Sequence, residues 1–292
     1  MTRTFGFIGL GVMGEPICRN ILTKSGWRGV VFDLSPDPVA RLVGDGAAAA
    51  GSIAEVVAAA DVIFLSLPGG PQVEAVVAGP GGVLETLREG QILVDTSTAP
   101  VGLTRELAEK VAAKGARMAD APVARTRQAA IEGTLSIMVG AEPDLFAEIE
   151  PLLRCAASDV TLCGGIGCGQ VVKILNNMVL FETVVALSEA LALGEGAGVD
   201  RALLFDTLSK GSADSFALRN HGMKAMIPDT FPLGAFPTDY ALKDVSYALD
   251  LARQTGVVAE GAELAEARMQ AAKAAGFGAE YFPVLARTVR RR

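Results

Sequence analysis

The pattern Gly9-x-Gly11-x-x-Gly14 limits the folds open to this 292-residue chain more than any other stretch. The run Phe5-Gly6-Phe7-Ile8 ahead of it is apolar enough for a buried strand. After it, from about Val12, the spacing of Ile17, Ile21 and Leu22 predicts a helix, with Pro16 tolerated in its first turn. Val30-Val31-Phe32 predicts a second strand, closed by Asp33 about twenty residues beyond Gly14. Strand and helix patterns continue to alternate down the first half of the chain, which signals a parallel sheet with helices on its faces.

Each glycine has a physical task in such a turn. Gly9 permits the tight bend, Gly11 keeps a backbone surface open to a pyrophosphate, and Gly14 lets helix and strand pack closely. A pyrophosphate then meets free N–H groups at the helix N-terminus. Asp33 suits a ribose 2′-hydroxyl and repels a 2′-phosphate, so NAD is expected in preference to NADP, with NADP possible. The expected cofactor contacts are Gly9, Leu10, Gly11, Val12, Met13, Gly14 and Asp33. The plainer alternative is a glycine-rich turn with no ligand.

Further strands are expected at Asp61–Leu67, Ile92–Asp95, Arg117–Asp120, Gly133–Gly140 and Asp159–Cys163, with a helix from about Pro100 to Lys114. Ser52-x-x-Glu55 has the form of a capping box. Ala47–Ala50 and Ala58–Ala60 read as small-residue helix or loop segments. Ligands of an open α/β sheet sit beyond the carboxyl ends of its strands, which brings in Leu67, Pro68 and Thr98. Thr98 could equally cap the helix at Pro100.

A second stretch, Gly167 to Asn177, opens an apolar run from Val171 to Leu193 that ends among Gly194, Gly196 and Gly198. One long helix is expected to leave the first domain and form the spine of the second. Lys173, Asn176 and Asn177 stand at i, i+3 and i+4 on one helix face. The plain reading is a snorkelling lysine and local amide bonds. Arg201–Ser209, Phe216–Met226, Tyr240–Gln254 and Glu260–Ala275 all have helical spacing, and His221 among them reads as structural. The expected architecture is therefore α/β: a Rossmann-type doubly wound domain, 1–165, joined by a long helix to an all-α domain, 166–292.

Composition excludes several classes. Half the residues are hydrophobic, a fifth are charged and the net charge is −7, so nucleic acid or an anionic membrane is not the expected partner. The Arg290–Arg292 tail reads as a frayed end. Lys173, Asn176, Asn177, Glu182 and Glu189 make the long helix too polar for a membrane span. No secretory signal is expected ahead of Phe5. Four cysteines without a C-x-x-C pair, and a single histidine, argue against a metal site and for reduced thiols in the cytoplasm.

Several motifs, in order along nearly the whole chain, resemble the β-hydroxyacid dehydrogenase family, which includes 3-hydroxyisobutyrate dehydrogenase and tartronate semialdehyde reductase. They are Gly6–Gly14, Asp95-Thr96-Ser97-Thr98, Asp120-Ala121-Pro122-Val123, Gly133-Thr134-Leu135, Gly169-x-x-x-Lys173-x-x-x-Asn177 and Lys243-Asp244. The resemblance implies an NAD(H)- or NADP(H)-dependent enzyme for a 3-hydroxy acid or its semialdehyde. It implies Lys173 as the catalytic lysine, Asn177 beside the substrate and Lys243 near the cofactor; Asn176, on the same helix face, is a further substrate-binding candidate. Where many members carry Ser-Gly-Gly, this chain has Ala124-Arg125-Thr126, similar to the loop of sulfolactaldehyde reductases. A guanidinium fork suits an oxyanion, so a small anionic substrate, carboxylate or sulfonate, is expected at Ala124, Arg125 and Thr126. A solvent-facing arginine is the alternative, and Arg127 is the weaker candidate. Glu280-Tyr281-Phe282-Pro283 also departs from the family pattern.

In reduction, charge grows on the aldehyde oxygen, and a positioned ammonium can stabilise it and donate the proton. Competing readings are a dehydrogenase for an ordinary carboxylate of the 3-hydroxyisobutyrate, serine or glycerate type, and a non-catalytic NAD-binding sensor. Imine reductases share the architecture but often replace the lysine. The apolar helix requires cover on every side, so a homodimer or homotetramer is expected.

Overall fold

Short apolar runs between turn residues form the strands of the first unit. Its parallel strands are β1 (Thr4–Ile8), β2 (Arg28–Phe32), β3 (Ala48–Ala49), β4 (Val62–Leu65), β5 (Ile92–Asp95) and β6 (Arg117–Asp120). In this computed structural model, which describes residues 3–289, they lie in the order β3-β2-β1-β4-β5-β6. That is the doubly wound dinucleotide-fold order, whose direction of travel reverses between β1 and β4. The sheet continues with β7 (Val123–Ala124) and β8 (Leu135–Gly140), antiparallel to each other, and β9 (Ala157–Gly164), parallel to β8. The tail Arg290–Arg292 lies outside the described residues.

Register explains where a ligand can sit. Ile8 is opposite Phe32 and Leu65, Leu65 opposite Asp95, and Asp95 opposite Asp120. The strands thus end level, and the loops that follow Ile8, Phe32, Leu65, Asp95 and Asp120 leave from one edge. Alternation along each strand divides the core. Phe5, Phe7, Phe64 and Val94 pack on one face with Ile17 and Ile21, while Ile8, Ile63, Leu65 and Leu93 pack on the other with Val56 and Leu107.

The helices of this unit are α1 (Gly14–Lys24), α2 (Pro36–Gly44), α3 (Ile53–Ala59), α4 (Gly70–Ala78), α5 (Val83–Thr86), α6 (Val101–Ala112), α7 (Arg127–Glu132) and α8 (Pro143–Leu153). Ser52 caps α3 through the Glu55 N–H at 3.2 Å. Helix α1 starts at Gly14, so Val12 and Met13 belong to the turn. Ala48 and Ala49, expected in a helix or loop, form an edge strand on β2 instead. Ladder bonds recruit them, since alanine itself has little preference for a strand.

The long helix α9 runs from Cys168 to Gly196. The chain divides into two compact units within it, Met1–Lys173 and Ile174–Arg292. The division falls after the first turn of α9, beyond the 165/166 boundary expected from sequence.

The regular elements among the described residues of the second unit are helices. After α9 come α10 (Arg201–Leu208), a π-helical stretch over Leu218–Met226, α11 (Thr238–Thr255) and α12 (Glu260–Ala272). Phe181, Val184, Val185 and Leu191 of α9 join Phe205, Val245, Met269 and Phe282 in one core. By length and composition alone α9 passes the test for a membrane span, a test that the core helix of a folded domain also meets. His221 is buried against the Tyr281 hydroxyl, and burial pushes the imidazole down to about 4 and the phenol up to about 12. The 280–283 segment, divergent in sequence, bonds to residues 236–238, with the Phe282 N–H on the Phe236 carbonyl at 3.0 Å.

Candidate active site

The glycine turn after β1 has the form a dinucleotide requires. Gly9 adopts φ +92°, and a Cβ there or at Gly14 would collide with backbone oxygen, from Ser66 and Gly9 respectively. A Cβ on Gly11 would meet nothing within 4 Å. The first and third glycines are therefore needed for packing, and the middle one presents open backbone. The Asp33 carboxylate accepts the Leu10 N–H at 2.6 Å and the Ser35 N–H at 2.7 Å, which fixes it at the end of β2 beside this turn. Gly11, Val12, Asp33 and Arg127 line a cavity of about 380 Å³. These residues fit the adenosine half of a dinucleotide.

The loops after β4 and β5 are bound to each other and to α9. Ser97 Oγ accepts the Leu67 N–H at 2.9 Å, and Thr96 Oγ1 donates to the Leu65 carbonyl at 2.6 Å. Buried Gln170 donates to the Ser97 carbonyl at 2.8 Å and accepts the Ala99 N–H at 3.1 Å. Leu67, Pro68 and Thr98 thus lie on a braced edge. Helix α6 begins at Val101 with no side-chain cap, so Thr98 does not cap it.

Asp120 is the residue that sequence reading missed. Fully buried at the end of β6, its carboxylate accepts the Gly167 N–H at 2.6 Å and the Gln170 N–H at 2.7 Å, both at the start of α9. Burial raises Asp120 to about 6, against the opposing pull of those two donors. Its strand neighbour Asp95 is pushed up to about 7, chiefly by burial. A Cβ on Gly169 would lie 2.8 Å from Asp120 Oδ2 and 2.9 Å from the Gly140 N, and closer still to the Met138 carbonyl oxygen. The first turn of α9 is therefore held against the ends of β6 and β8, and half-buried Lys173 follows one turn later. In the sequence Asp120 stood only as the acid that closes a strand and heads one family motif; its partners are some fifty residues away.

The Ala124-Arg125-Thr126 loop is internally engaged. Ala124 is buried in β7. The Arg125 guanidinium donates to the Thr134 carbonyl at 2.5 Å, to Ser158 Oγ at 2.6 Å and to Asp159 at 2.6 Å. Thr126 caps α7, accepting the Ala129 N–H at 3.3 Å. In the structure the fork ties its own loop to Thr134, just ahead of β8, and to β9. Arg125 does so at φ +86°, a conformation that favours glycine.

In the second unit, Asn176 is exposed and donates to Asn177 Oδ1 at 3.1 Å. Asn177 is buried and donates to Asp244 Oδ2 at 2.7 Å. Lys243 pairs with the other Asp244 oxygen at 2.9 Å, its ammonium 5.3 Å from the Tyr247 ring centroid and 5.7 Å from that of Tyr240. The structure therefore joins Asn176, Asn177 and Lys243 through Asp244, which the sequence offered only as half of a Lys-Asp pair.

Two family models cover the chain. Residues 4–165 match the NAD binding domain of 6-phosphogluconate dehydrogenase, and residues 167–288 match the NAD-binding domain of NADP-dependent 3-hydroxyisobutyrate dehydrogenase. The chain is 37% identical to 2-(hydroxymethyl)glutarate dehydrogenase of Eubacterium barkeri over 94% of its own length and 91% of that protein's. Among solved structures it resembles Mycobacterium tuberculosis 3-hydroxyisobutyrate dehydrogenase with L-serine, with TM-score 0.90, 30% identity and full coverage of both chains. It also resembles Psf3 in complex with NADP+ and 2-OPP, with TM-score 0.85, 26% identity, and 98% and 100% of the two chains covered.

Proposed function

The chain belongs to the β-hydroxyacid dehydrogenase family, and on that premise we propose that it interconverts a small 3-hydroxy carboxylate and its semialdehyde, with Lys173 as general acid and base and NAD preferred over NADP. The observation that carries this reading is the seating of α9. Asp120, Gln170 and the missing side chain of Gly169 fix the first turn of the helix that bears Lys173. Such rigidity is what a proton donor needs, because a misplacement of about 1 Å can cost a hundredfold in rate.

A nicotinamide dinucleotide, when bound, supplies the hydride chemistry. Gly11 offers open backbone to the pyrophosphate, and Asp33 accepts from a ribose hydroxyl. The Lys173 ammonium stabilises the oxygen on which charge grows and gives it a proton; in the oxidative direction it takes that proton back. Asn177 and Lys243 keep the substrate-side and cofactor-side roles that the family resemblance implies, with Asn176 beside Asn177 as a further substrate contact. L-serine, found with the mycobacterial relative, and 2-(hydroxymethyl)glutarate both carry a hydroxymethyl group next to a carboxylate-bearing carbon. That shared unit favours an ordinary carboxylate substrate. A sulfonate substrate would require Arg125 to leave Asp159.

Lys173→Ala and Lys173→Arg should each lower kcat by about 10²–10⁴-fold on a panel of 3-hydroxy acids with NAD and NADP. Wild-type turnover by either variant removes the assignment, and tight NADH binding with no turnover on any substrate favours a sensor. Arg125→Gly should raise KM for a sulfonate aldehyde only if the guanidinium meets the substrate. A homodimer or homotetramer is proposed from apolar side chains left open on α9, with Val179 56% and Leu193 74% exposed. Light scattering that gives a monomer at micromolar concentration would contradict it. A cytoplasmic setting is proposed from the four free cysteines.

A further inference from the structure

The cavity beside the glycine turn gathers three arginines and two carboxylates. Besides Gly11 and Asp33, it is lined by Arg19, Arg41 and Arg127, with Glu15 among them. These are the side chains that a 2′-phosphate recruits, since a guanidinium fork matches phosphate geometry. Two of the three are already engaged. Glu15 accepts Nε and NH2 of Arg41, each at 2.8 Å, through both carboxylate oxygens, and NH2 of Arg19 at 3.0 Å. Asp45 takes the Nε of Arg19 at 2.7 Å. Glu15 is the most buried member of the group, 16% exposed against 55% for Arg41 and 39% for Arg19. The hydrogen bond from Arg41 holds its carboxyl below the ordinary range, so it stays charged through neutral pH.

We propose that Glu15 is a specificity-determining residue, which excludes NADP by sequestering Arg41 and Arg19 from a 2′-phosphate. Discrimination then has two sources. Asp33 repels the phosphate at the ribose, and Glu15 withholds the cations that would otherwise attract it. Replacing Asp33 alone removes the repulsion and leaves both arginines engaged. Replacing both carboxylates turns the same cavity into a 2′-phosphate site. The proposal rests on the reading of this cavity as the adenosine end of the cofactor site.

The test is a binding cycle on the full-length protein: wild type, Asp33→Asn, Glu15→Gln and the double variant. Each is titrated with NADH and NADPH by fluorescence, and with 5′-AMP and adenosine 2′,5′-bisphosphate by thermal shift. The effects of the two substitutions should not add. Asp33→Asn alone should gain little for the bisphosphate. The double variant should favour NADPH by a further factor of about ten or more, the scale of one charge-assisted hydrogen bond. Adding Arg41→Ala to the double variant should erase that gain, and raised salt should shrink it. Glu15→Gln that shifts 5′-AMP and the bisphosphate by the same factor, alone and with Asp33→Asn, overturns the proposal while leaving the cofactor site in place. If 5′-AMP and NADH binding is untouched by all three variants, the cavity is not the adenosine site, and the underlying reading falls with the proposal.

Discussion

Gly169→Ala is the substitution for which the structure yields a magnitude. A Cβ there would sit 2.8 Å from Asp120 Oδ2 and 2.9 Å from the Gly140 N, and nearer still to the Met138 oxygen. Two of those three atoms are backbone and cannot rotate away. Relief to an ordinary carbon–oxygen contact of ~3.3–3.6 Å takes roughly 1 Å of helix displacement. Overpacking of this kind costs about 1–3 kcal/mol. The same displacement stretches the bonds from Gly167 and Gln170 to Asp120, at 2.6 and 2.7 Å, which as bonds to a charged group contribute about 1.5–3 kcal/mol each. Partial loss of these adds to the first figure, so a fall of about 2–4 kcal/mol is expected, read as a lower midpoint in urea unfolding. Lys173 moves with the helix, so kcat should fall about a hundredfold. KM for NADH should change far less, because the glycine turn after β1 is untouched. Gly169→Ala with wild-type stability and kcat would refute the seating of α9 and, with it, the positioning of Lys173.

Other outcomes follow from the same geometry. Asp95, raised from 3.8 to about 7, and Asp120, raised to about 6, bind protons more tightly folded than unfolded. They therefore make stability fall as pH rises from about 4 to 7, and Asp95→Asn should flatten that fall in denaturant titrations; an unchanged slope refutes it. His221 works in the opposite sense: lowered from 6.5 to about 4, it costs stability as pH falls through that window. Tyr281→Phe removes the partner of the buried His221 Nδ1 and should destabilise by about 1–3 kcal/mol in thermal unfolding, whereas a neutral effect would mean that the imidazole finds another partner. Arg125→Gly relieves about 1–2 kcal/mol of left-handed strain. It gives up an exposed ion pair of about 0–1 kcal/mol and adds chain entropy of about 0.5–1 kcal/mol, so stability should stay within about 1 kcal/mol of wild type. A loss above about 2 kcal/mol would mean that the bonds from Arg125 to Thr134, Ser158 and Asp159 outweigh the strain.

What could be read in advance was local. The glycine turn, Asp33 and the long helix after Gly167 follow from spacing within a few turns of chain, and each stands where its pattern implied. The two-residue strand at Ala48 could not be read, because it exists only through its ladder with β2. The Asp120 cap could not be read either, since its donors arrive with a helix far along the chain. Arg125 shows a different limit. Residue type signalled an anion partner, and the structure supplies one, Asp159, from within the protein. Glu15 was invisible for a related reason: its arginine at i+4 is a common helical pair, while Arg41 comes from α2.

The buried carboxylate at the end of β6 also decides where this molecule can be cut. A fragment stopped at residue 165 would contain every strand but lack both amide donors, leaving the buried Asp120 carboxylate beside Asp95 without the Gly167 and Gln170 N–H groups. Extended to Lys173, it would carry both donors. Anyone seeking the nucleotide-binding half in isolation should leave the beginning of the next helix attached.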